Sequence, residues 1–232
     1  MRIRKTIRGG DFMLNRMIPF QIVMIGFIIL FPVPSAVAQS KYPETIATLQ
    51  TAYRNEIQAH LNYLAYARKA NSENYPNMAY LFCGFAASEW IHARDFKKIL
   101  SDLGIELRDG PKPDIKVLST KVNLKNALDF ELGDIDQKYP QFLERIKPEK
   151  YEAAIRSMTY AWETEKQHQA LLQKMQSGTG IFFGLLAKKI EETSVRYFVC
   201  QICGSTVVEL PKDGCPICKG SVSGYKEVER VK

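Results

Sequence analysis

Two short motifs place a carboxylate and an imidazole one helical turn apart. They are Glu89-x-x-His92 and Glu165-x-x-His168, and they contain two of the three histidines in the 232-residue chain. Side chains three residues apart on an α-helix point to the same side, about 4.5 Å apart along the axis. Two such pairs on facing helices can therefore hold one metal centre from both sides.

Two further glutamates, Glu56 and Glu131, lie on apolar helical stripes, as both motifs do. A charged side chain on an apolar face is costly unless it is paired or binds a metal. Four such carboxylates with two imidazoles indicate a buried pair of iron or manganese ions rather than four glutamates in solvent. The four predicted helices run over Glu44–Ala70, from Pro76 to about Leu103, from Lys121 to about Ile146, and from Pro148 to about Met175.

The second and third predicted helices are joined by a long connection. Residues 104–120 include Gly110, Pro111 and Pro113 and show no helical period. One long crossover is typical of a ferritin-like four-helix bundle, so the predicted fold class is mainly α with that architecture. Pro140 falls inside the third helix and is expected to kink it.

The last 33 residues hold four of the five cysteines as two Cys-x-x-Cys pairs. Paired rather than scattered cysteines favour a metal ion bound by four thiolates over disulfides. The spacing suits either zinc or a single iron. Short β-rich pieces flank the pairs, and a segment this small should need its metal to fold. The four residues are Cys200, Cys203, Cys215 and Cys218.

From about Thr45 to Lys232 the chain resembles the rubrerythrins, ferritin-like di-iron proteins with a small rubredoxin-like domain at the C-terminus. The resemblance rests on the motifs above and on Glu131-x-x-Asp134 followed by Tyr139-Pro140. It implies two non-haem irons in the bundle and one iron between the four cysteines, where zinc is possible. The di-iron ligands that it implies are Glu56, Glu89, His92, Glu131, Asp134, Glu165 and His168.

The resemblance also assigns roles around these ligands. At the position of Asp134 the family normally has a glutamate ligand, which distinguishes rubrerythrins from ferritins. The side chain here is one methylene shorter, so both direct binding and binding through water are open. Tyr63 and Tyr139 occupy positions that hydrogen-bond the ligand carboxylates and so orient them.

The activity that the resemblance implies is that of an oxidoreductase. A di-iron peroxidase would reduce hydrogen peroxide to water, with electrons passing from a donor redox protein through the four-cysteine iron. A ferroxidase using oxygen or peroxide is one alternative, and a metal-binding electron-transfer module with a structural zinc tail is another. The resemblance further implies a homodimer in which the tail of one subunit lies close to the bundle of the other.

The N-terminus has the order of a secretory signal peptide. Basic residues precede an apolar run from Ile18 to Phe31, and Ala36-Val37-Ala38 forms a small-x-small cleavage signal. We expect cleavage after Ala38, export to the periplasm and no membrane association afterwards. An uncleaved membrane anchor is the alternative.

Without that segment the net charge of +7 falls to +3, and the chain has no basic groove with interleaved aromatics. Nucleic-acid binding is therefore not expected. The predicted organisation is a signal peptide over 1–38, the di-iron bundle over 39–180, a linker over 181–194 and the rubredoxin-like domain over 195–232.

Overall fold

The computed structural model describes residues 41–107, 114–176, 188, 190–192 and 194–231. The predicted signal peptide lies outside the described residues, and so does most of the predicted linker. Within the described ranges, no helix combines the length and the apolar character needed to cross a membrane.

Four helical rods form the bundle, as predicted, and the third rod is interrupted. The predicted and observed helix ends differ by a few residues. The first rod is α1 (Pro43–Ser72), the second is α2 (Pro76–Asp102), and the fourth is α5 (Glu152–Gln176). The third rod consists of α3 (Thr120–Gly133), a π-helical segment (Asp134–Lys138) and α4 (Tyr139–Ile146).

The irregularity expected at Pro140 takes the form of a widened turn, which we call the π segment (Asp134–Lys138). The N–H of Tyr139 bonds to the carbonyl of Asp134, five residues earlier. In a π-helix each carbonyl accepts a hydrogen bond from the N–H five residues later, so the carbonyl of Ile135 would pair with residue 140. That residue is Pro140, which has no N–H. The carbonyl of Ile135 receives its hydrogen bond from α5 instead.

The apolar core is divided in two, and the buried carboxylates lie between its halves. On α2, Glu89 and His92 are flanked by Ala86 of one apolar cluster and Phe96 of the other. On α1 the order along the chain is reversed, with Glu56 again between the two clusters. Apolar packing above and below the charges excludes water from them.

Carboxylates that are distant in sequence cap three of the helices. Glu149 accepts hydrogen bonds from backbone N–H groups at the start of α1, Glu191 at the start of α2, and Glu73 at the start of α3. The distances lie between 2.8 and 3.1 Å. These contacts satisfy helical donors that have no partner within their own helix.

The tail, residues 194–231, forms a small antiparallel sheet with strand order β2-β1-β3. β1 is Phe198–Cys200, β2 is Thr206–Val207 and β3 is Tyr225–Glu227, and the first two overlap the β-rich pieces predicted beside the cysteine pairs. The sheet lies against α2. There the hydroxyl of Tyr80 donates to the carbonyl of Val228 over 3.0 Å.

Candidate metal centres

Six of the predicted ligands converge in the middle of the bundle as two overlapping groups. One contains Glu56 and His92, the other contains Glu131 and His168, and Glu89 and Glu165 belong to both. Within each group the candidate ligand atoms lie within 4.8 Å of one another. None of the six residues is more than 4% exposed. The shared glutamates could therefore contact both ions of a pair, and each side would add one glutamate and one histidine.

Both histidines direct Nδ1 at the carboxylates, in matching geometry. For His92, Nδ1 lies 3.1 Å from Glu89 Oε2 and 3.4 Å from Glu165 Oε1. For His168, Nδ1 lies 3.1 Å from Glu165 Oε2 and 3.4 Å from Glu89 Oε1. The two Glu-x-x-His turns therefore face the centre as a pseudo-symmetric pair.

The outer nitrogen of each imidazole contacts the tail. His92 Nε2 lies 3.2 Å from the carbonyl oxygen of Cys203, which can only accept, so Nε2 carries the proton. His168 Nε2 lies 3.4 Å from Thr206 Oγ1, whose own hydrogen is donated to the carbonyl of Gly204. With Nε2 as the outer donor, Nδ1 is the nitrogen that faces the carboxylates and can bind a metal once its own proton is released.

The two tyrosines bind carboxylates across the bundle. The hydroxyl of Tyr63 on α1 donates to Glu131 Oε1 on α3, and that of Tyr139 on α4 donates to Glu56 Oε1 on α1 over 2.5 Å. Burial, aided by the neighbouring carboxylates, raises the pKa of both phenols well above the ordinary value. Both therefore remain donors and hold the terminal glutamates in place.

The charges and burial of this centre favour the binding of cations. Burial raises the pKa of Glu56 and Glu131 well above the ordinary value. Burial alone would lower the pKa of His92, but its hydrogen bonds to glutamates raise it well above the ordinary value. Among the described residues, the buried oxygen Glu131 Oε2 has no hydrogen-bond partner, and Glu89 Oε1 has only its 3.4 Å contact with His168 Nδ1. Two divalent cations would balance the four carboxylates and take up these oxygens, so the residues fit a di-iron site.

Asp134 does not belong to either group of converging ligands. Its carboxylate is buried and forms an ion pair with the ammonium of Lys138, four residues later. Burial raises the pKa of Asp134 to about 7, although the charge of Lys138 opposes this shift. Direct binding of iron by Asp134 stays a prediction.

The four cysteines of the tail converge on one point as free thiols. The sulfurs of Cys200 and Cys218 are 3.7 Å apart, and those of Cys203 and Cys215 are 3.5 Å apart. Metal–sulfur bonds of about 2.3 Å in a tetrahedron would separate the sulfurs by about 3.8 Å. The spacing suits one tetrahedral ion and is far from the sulfur–sulfur bond of about 2.05 Å in a disulfide.

The first cysteine turn of the tail, residues 200–204, packs directly against the bundle centre. Two hydroxyl groups contact it there: Ser88 donates to the carbonyl of Gly204 over 2.8 Å, and the hydroxyl of Thr164 is shared between the carbonyl of Cys203 and that of Tyr160 on its own helix, each at 3.0 Å. Gly204 has φ +81°, and a Cβ at that position would lie 2.5 Å from His92 Nε2. Only glycine permits this approach.

The contact that the resemblance places between two subunits is made here within one chain, and the homodimer stays a prediction. Ser88 and Thr164 were not predicted as site residues. Each directly precedes the glutamate of a Glu-x-x-His motif, so the repeated pattern is Ser/Thr-Glu-x-x-His. That repetition is the signal by which the hydroxyl groups could have been found.

A four-helix bundle with this ligand set defines the class of di-iron carboxylate proteins, and the four-thiolate tail narrows that class. Residues 47–176 match the family model described as Rubrerythrin. Rubrerythrin-2 of Clostridium acetobutylicum is 34% identical over 174 residues, which cover 73% of this chain and 89% of that protein. Nigerythrin of Nitratidesulfovibrio vulgaris is 26% identical over 176 residues, or 75% and 81% of the two chains. The chain therefore belongs to the rubrerythrin family, a family of iron proteins.

Solved structures support the same fold. Nigerythrin in a mixed-valence state matches with a TM-score of 0.67 at 23% identity, covering 79% of this chain and 86% of that chain. A bacterioferritin of Desulfovibrio desulfuricans matches with a TM-score of 0.61 at 21% identity, covering 66% and 90%. At these identities the likeness establishes the ferritin-like architecture.

Proposed function

We propose that this protein is a peroxidase that reduces hydrogen peroxide to water with electrons delivered through its four-cysteine tail. Each peroxide takes up two electrons and two protons and yields two molecules of water. The observation that carries the proposal is the 3.2 Å hydrogen bond between His92 Nε2 and the carbonyl of Cys203. It joins a residue of the bundle centre to a residue of the thiolate centre with no side chain between them.

A pair of ferrous ions, when bound in the bundle, would supply the two electrons that cleave the O–O bond of peroxide. The protein's own contribution is positioning and the exclusion of water. Tyr63 and Tyr139 fix the orientation of Glu131 and Glu56. The flanking apolar clusters exclude water from the carboxylates. Such fixed hydrogen bonds around metal ligands tune the affinity and orientation of a site.

In this proposal the electron path lies within a single chain. Cys203 is buried and its carbonyl contacts His92 of the bundle, whereas Cys218 is partly exposed. Electrons from a donor redox protein would therefore enter near Cys218 and leave through Cys203 towards His92. Ser88 and Thr164 keep the cysteine turn that contains Cys203 in contact with the bundle.

We also propose export to the periplasm after cleavage behind Ala38, in line with the order of the N-terminal sequence. The electron donor would then be a redox protein of that compartment. Sequencing the N-terminus of protein purified from the native host tests this proposal. The expected first residue is Gln39, and an N-terminus upstream of Ala38 would contradict cleavage at this site.

The activity is tested by metal analysis followed by anaerobic reduction and rapid mixing with hydrogen peroxide or with oxygen. We expect iron in both centres and faster reoxidation by peroxide. Glu89→Ala or His168→Ala should abolish peroxide-driven oxidation while the tail keeps its visible absorption. Unchanged turnover in both variants, or zinc in the tail, would contradict the proposal.

A ferroxidase is the second candidate, and one observation favours it. Asp134, at the position that the resemblance links to the difference between rubrerythrins and ferritins, lies outside both ligand groups. The discriminating measurement is the oxidation of added Fe²⁺ over many turnovers with oxygen. Sustained Fe²⁺ oxidation with slow peroxide reduction would favour the ferroxidase over the peroxidase.

A further inference from the structure

We propose that Lys138 holds Asp134 in an ion pair at the edge of the bundle centre, so that this carboxylate is not a metal ligand. The inference rests on the di-iron site of the proposed function and concerns the one predicted ligand that is set apart from the rest. It makes Lys138 a positioning residue and leaves six ligands, four carboxylates and two imidazoles.

The first support is the position of the carboxylate. The six other ligands fall into two groups whose atoms lie within 4.8 Å of one another, and Asp134 is in neither. Its Oδ1 contacts the ammonium of Lys138 instead. The aspartate side chain is 6% exposed and that of Lys138 is 39% exposed, so the lysine reaches inwards from the surface to a buried partner.

The second support is that the lysine and its helix are fixed from other sides. The ammonium of Lys138 lies 4.3 Å from the centroid of the Phe130 ring, within the range of a cation–π contact. The π segment carries both members of the ion pair, and Trp162 on α5 holds it through a 3.0 Å hydrogen bond to Ile135. The ion pair is therefore part of a braced turn.

The third support is the balance of charge. Four glutamates neutralise two divalent cations, and neutral imidazoles add no charge. Asp134 would be a fifth negative charge in a buried site, and a buried charge needs a partner. Lys138 supplies that partner without a metal.

The test is an anaerobic calorimetric titration of Fe²⁺ into the full chain with its tail site already filled, together with Mössbauer spectra of the ferrous and of the oxidised protein. Asp134→Asn should leave the bundle's Fe²⁺ affinity and the iron signals of both oxidation states unchanged. Lys138→Met frees the carboxylate and should tighten Fe²⁺ binding by about tenfold, as expected for an added interaction at a metal site. Asp134→Asn in the Lys138→Met background should remove that gain.

The matched control is Lys125→Met, because Lys125 forms an ion pair with Asp129 at the same spacing on α3, with both side chains more than half exposed. It should leave Fe²⁺ binding unchanged. Weaker Fe²⁺ binding by about tenfold, or altered iron signals of either oxidation state, in Asp134→Asn would show that Asp134 is a ligand and overturn the inference. An unchanged affinity in Lys138→Met would overturn the role of the lysine.

Asp134→Asn preserves the shape of the side chain, so it remains decisive where Lys138→Met proves too unstable to purify. Failure of the proposed di-iron site would appear differently, as the absence of Fe²⁺ binding by the bundle of the native protein. That outcome would remove both proposals, whereas the outcomes above affect only this one.

Discussion

The indole N–H of Trp162 supplies the hydrogen bond that Pro140 cannot give. Its Nε1 donates over 3.0 Å to the carbonyl of Ile135, which in the widened register would face the nitrogen of the proline. The bond ties α5, which carries Glu165 and His168, to the turn beside Glu131. One side chain thus completes the backbone bonding of a segment and also braces two ligand-bearing helices against each other.

Replacing Trp162 by Phe keeps an aromatic ring but removes the donor. We expect the free energy of unfolding to fall by about 1 kcal/mol, since a carbonyl loses its partner. Amide hydrogen exchange should accelerate at residues 134–138 in particular. Trp90→Phe is the control, because Trp90 is 51% exposed on α2. Equal changes in exchange for the two variants would contradict the bracing role.

Gly204→Ala should separate the tail from the bundle without dismantling either one. The new Cβ would lie 2.5 Å from His92 Nε2 and 2.7 Å from Ser88 Oγ, so the cysteine turn must move. We expect the visible absorption of the tail to persist, while the rate at which electrons return to the bundle falls by about ten- to a hundredfold, as small misplacements can produce. Stopped-flow reduction after a peroxide pulse measures this rate.

The control for that variant is Gly104→Ala. Gly104 has φ +75°, close to that of Gly204, but a Cβ there would meet no atom of the described residues within 4 Å. It should lower stability by about 1–2 kcal/mol through backbone strain and leave electron return unchanged. Equal rates in the two variants would mean that close contact with the bundle does not matter.

The helices and the six converging ligands of the bundle could be predicted from the sequence, because residues on the buried face of a helix recur every three or four positions. A glutamate on an apolar stripe, such as Glu56 or Glu131, violates the usual pattern and so reveals its function. The cysteine pairs were equally clear, because two Cys-x-x-Cys turns have few other uses. These signals are local in sequence and need no knowledge of the tertiary fold.

The seating of the tail on the bundle was not accessible in the same way. It depends on hydroxyl groups, such as Ser88 and Thr164, that meet backbone carbonyls far away in sequence. The Ser or Thr before each Glu-x-x-His motif marks the hydroxyl groups, but it does not identify the distant carbonyls that accept from them. The pairing of Asp134 with Lys138 was missed for another reason. The resemblance implies iron as the partner of the aspartate, and a lysine four residues later on a helix is most often a solvent-exposed residue.

Glu149→Gln should weaken the cap on α1 in a pH-dependent way. Burial alone would raise the pKa of Glu149, but hydrogen bonds from Thr45 and Glu44 lower it below its ordinary value. Because the folded-state pKa lies below that of the unfolded chain, the stabilisation is present above about pH 4.5 and is lost as the pH falls through the folded-state pKa. We expect a difference of about 1 kcal/mol between native and variant at pH 7 that shrinks by pH 4.

Denaturant unfolding at the two pH values measures this difference. Glu144→Gln, an exposed change on α4, is the control and should have little effect at either pH. A Glu149→Gln difference that stays constant between pH 7 and pH 4 would show that the charge of the carboxylate does not contribute to the cap.

Thr206→Val should weaken one of the two metal positions in the bundle. The hydroxyl of Thr206 faces His168 Nε2 at 3.4 Å and is the acceptor that keeps the proton on that nitrogen. Valine has nearly the same shape but no acceptor, so Nδ1 would no longer be held ready for a metal. We expect binding of one Fe²⁺ per bundle to weaken by about tenfold, as measured by anaerobic titration. Thr206→Ser keeps the hydroxyl and should bind as the native protein does. Equal affinities in the valine and serine variants would show that packing, rather than the hydrogen bond to His168, is what Thr206 provides.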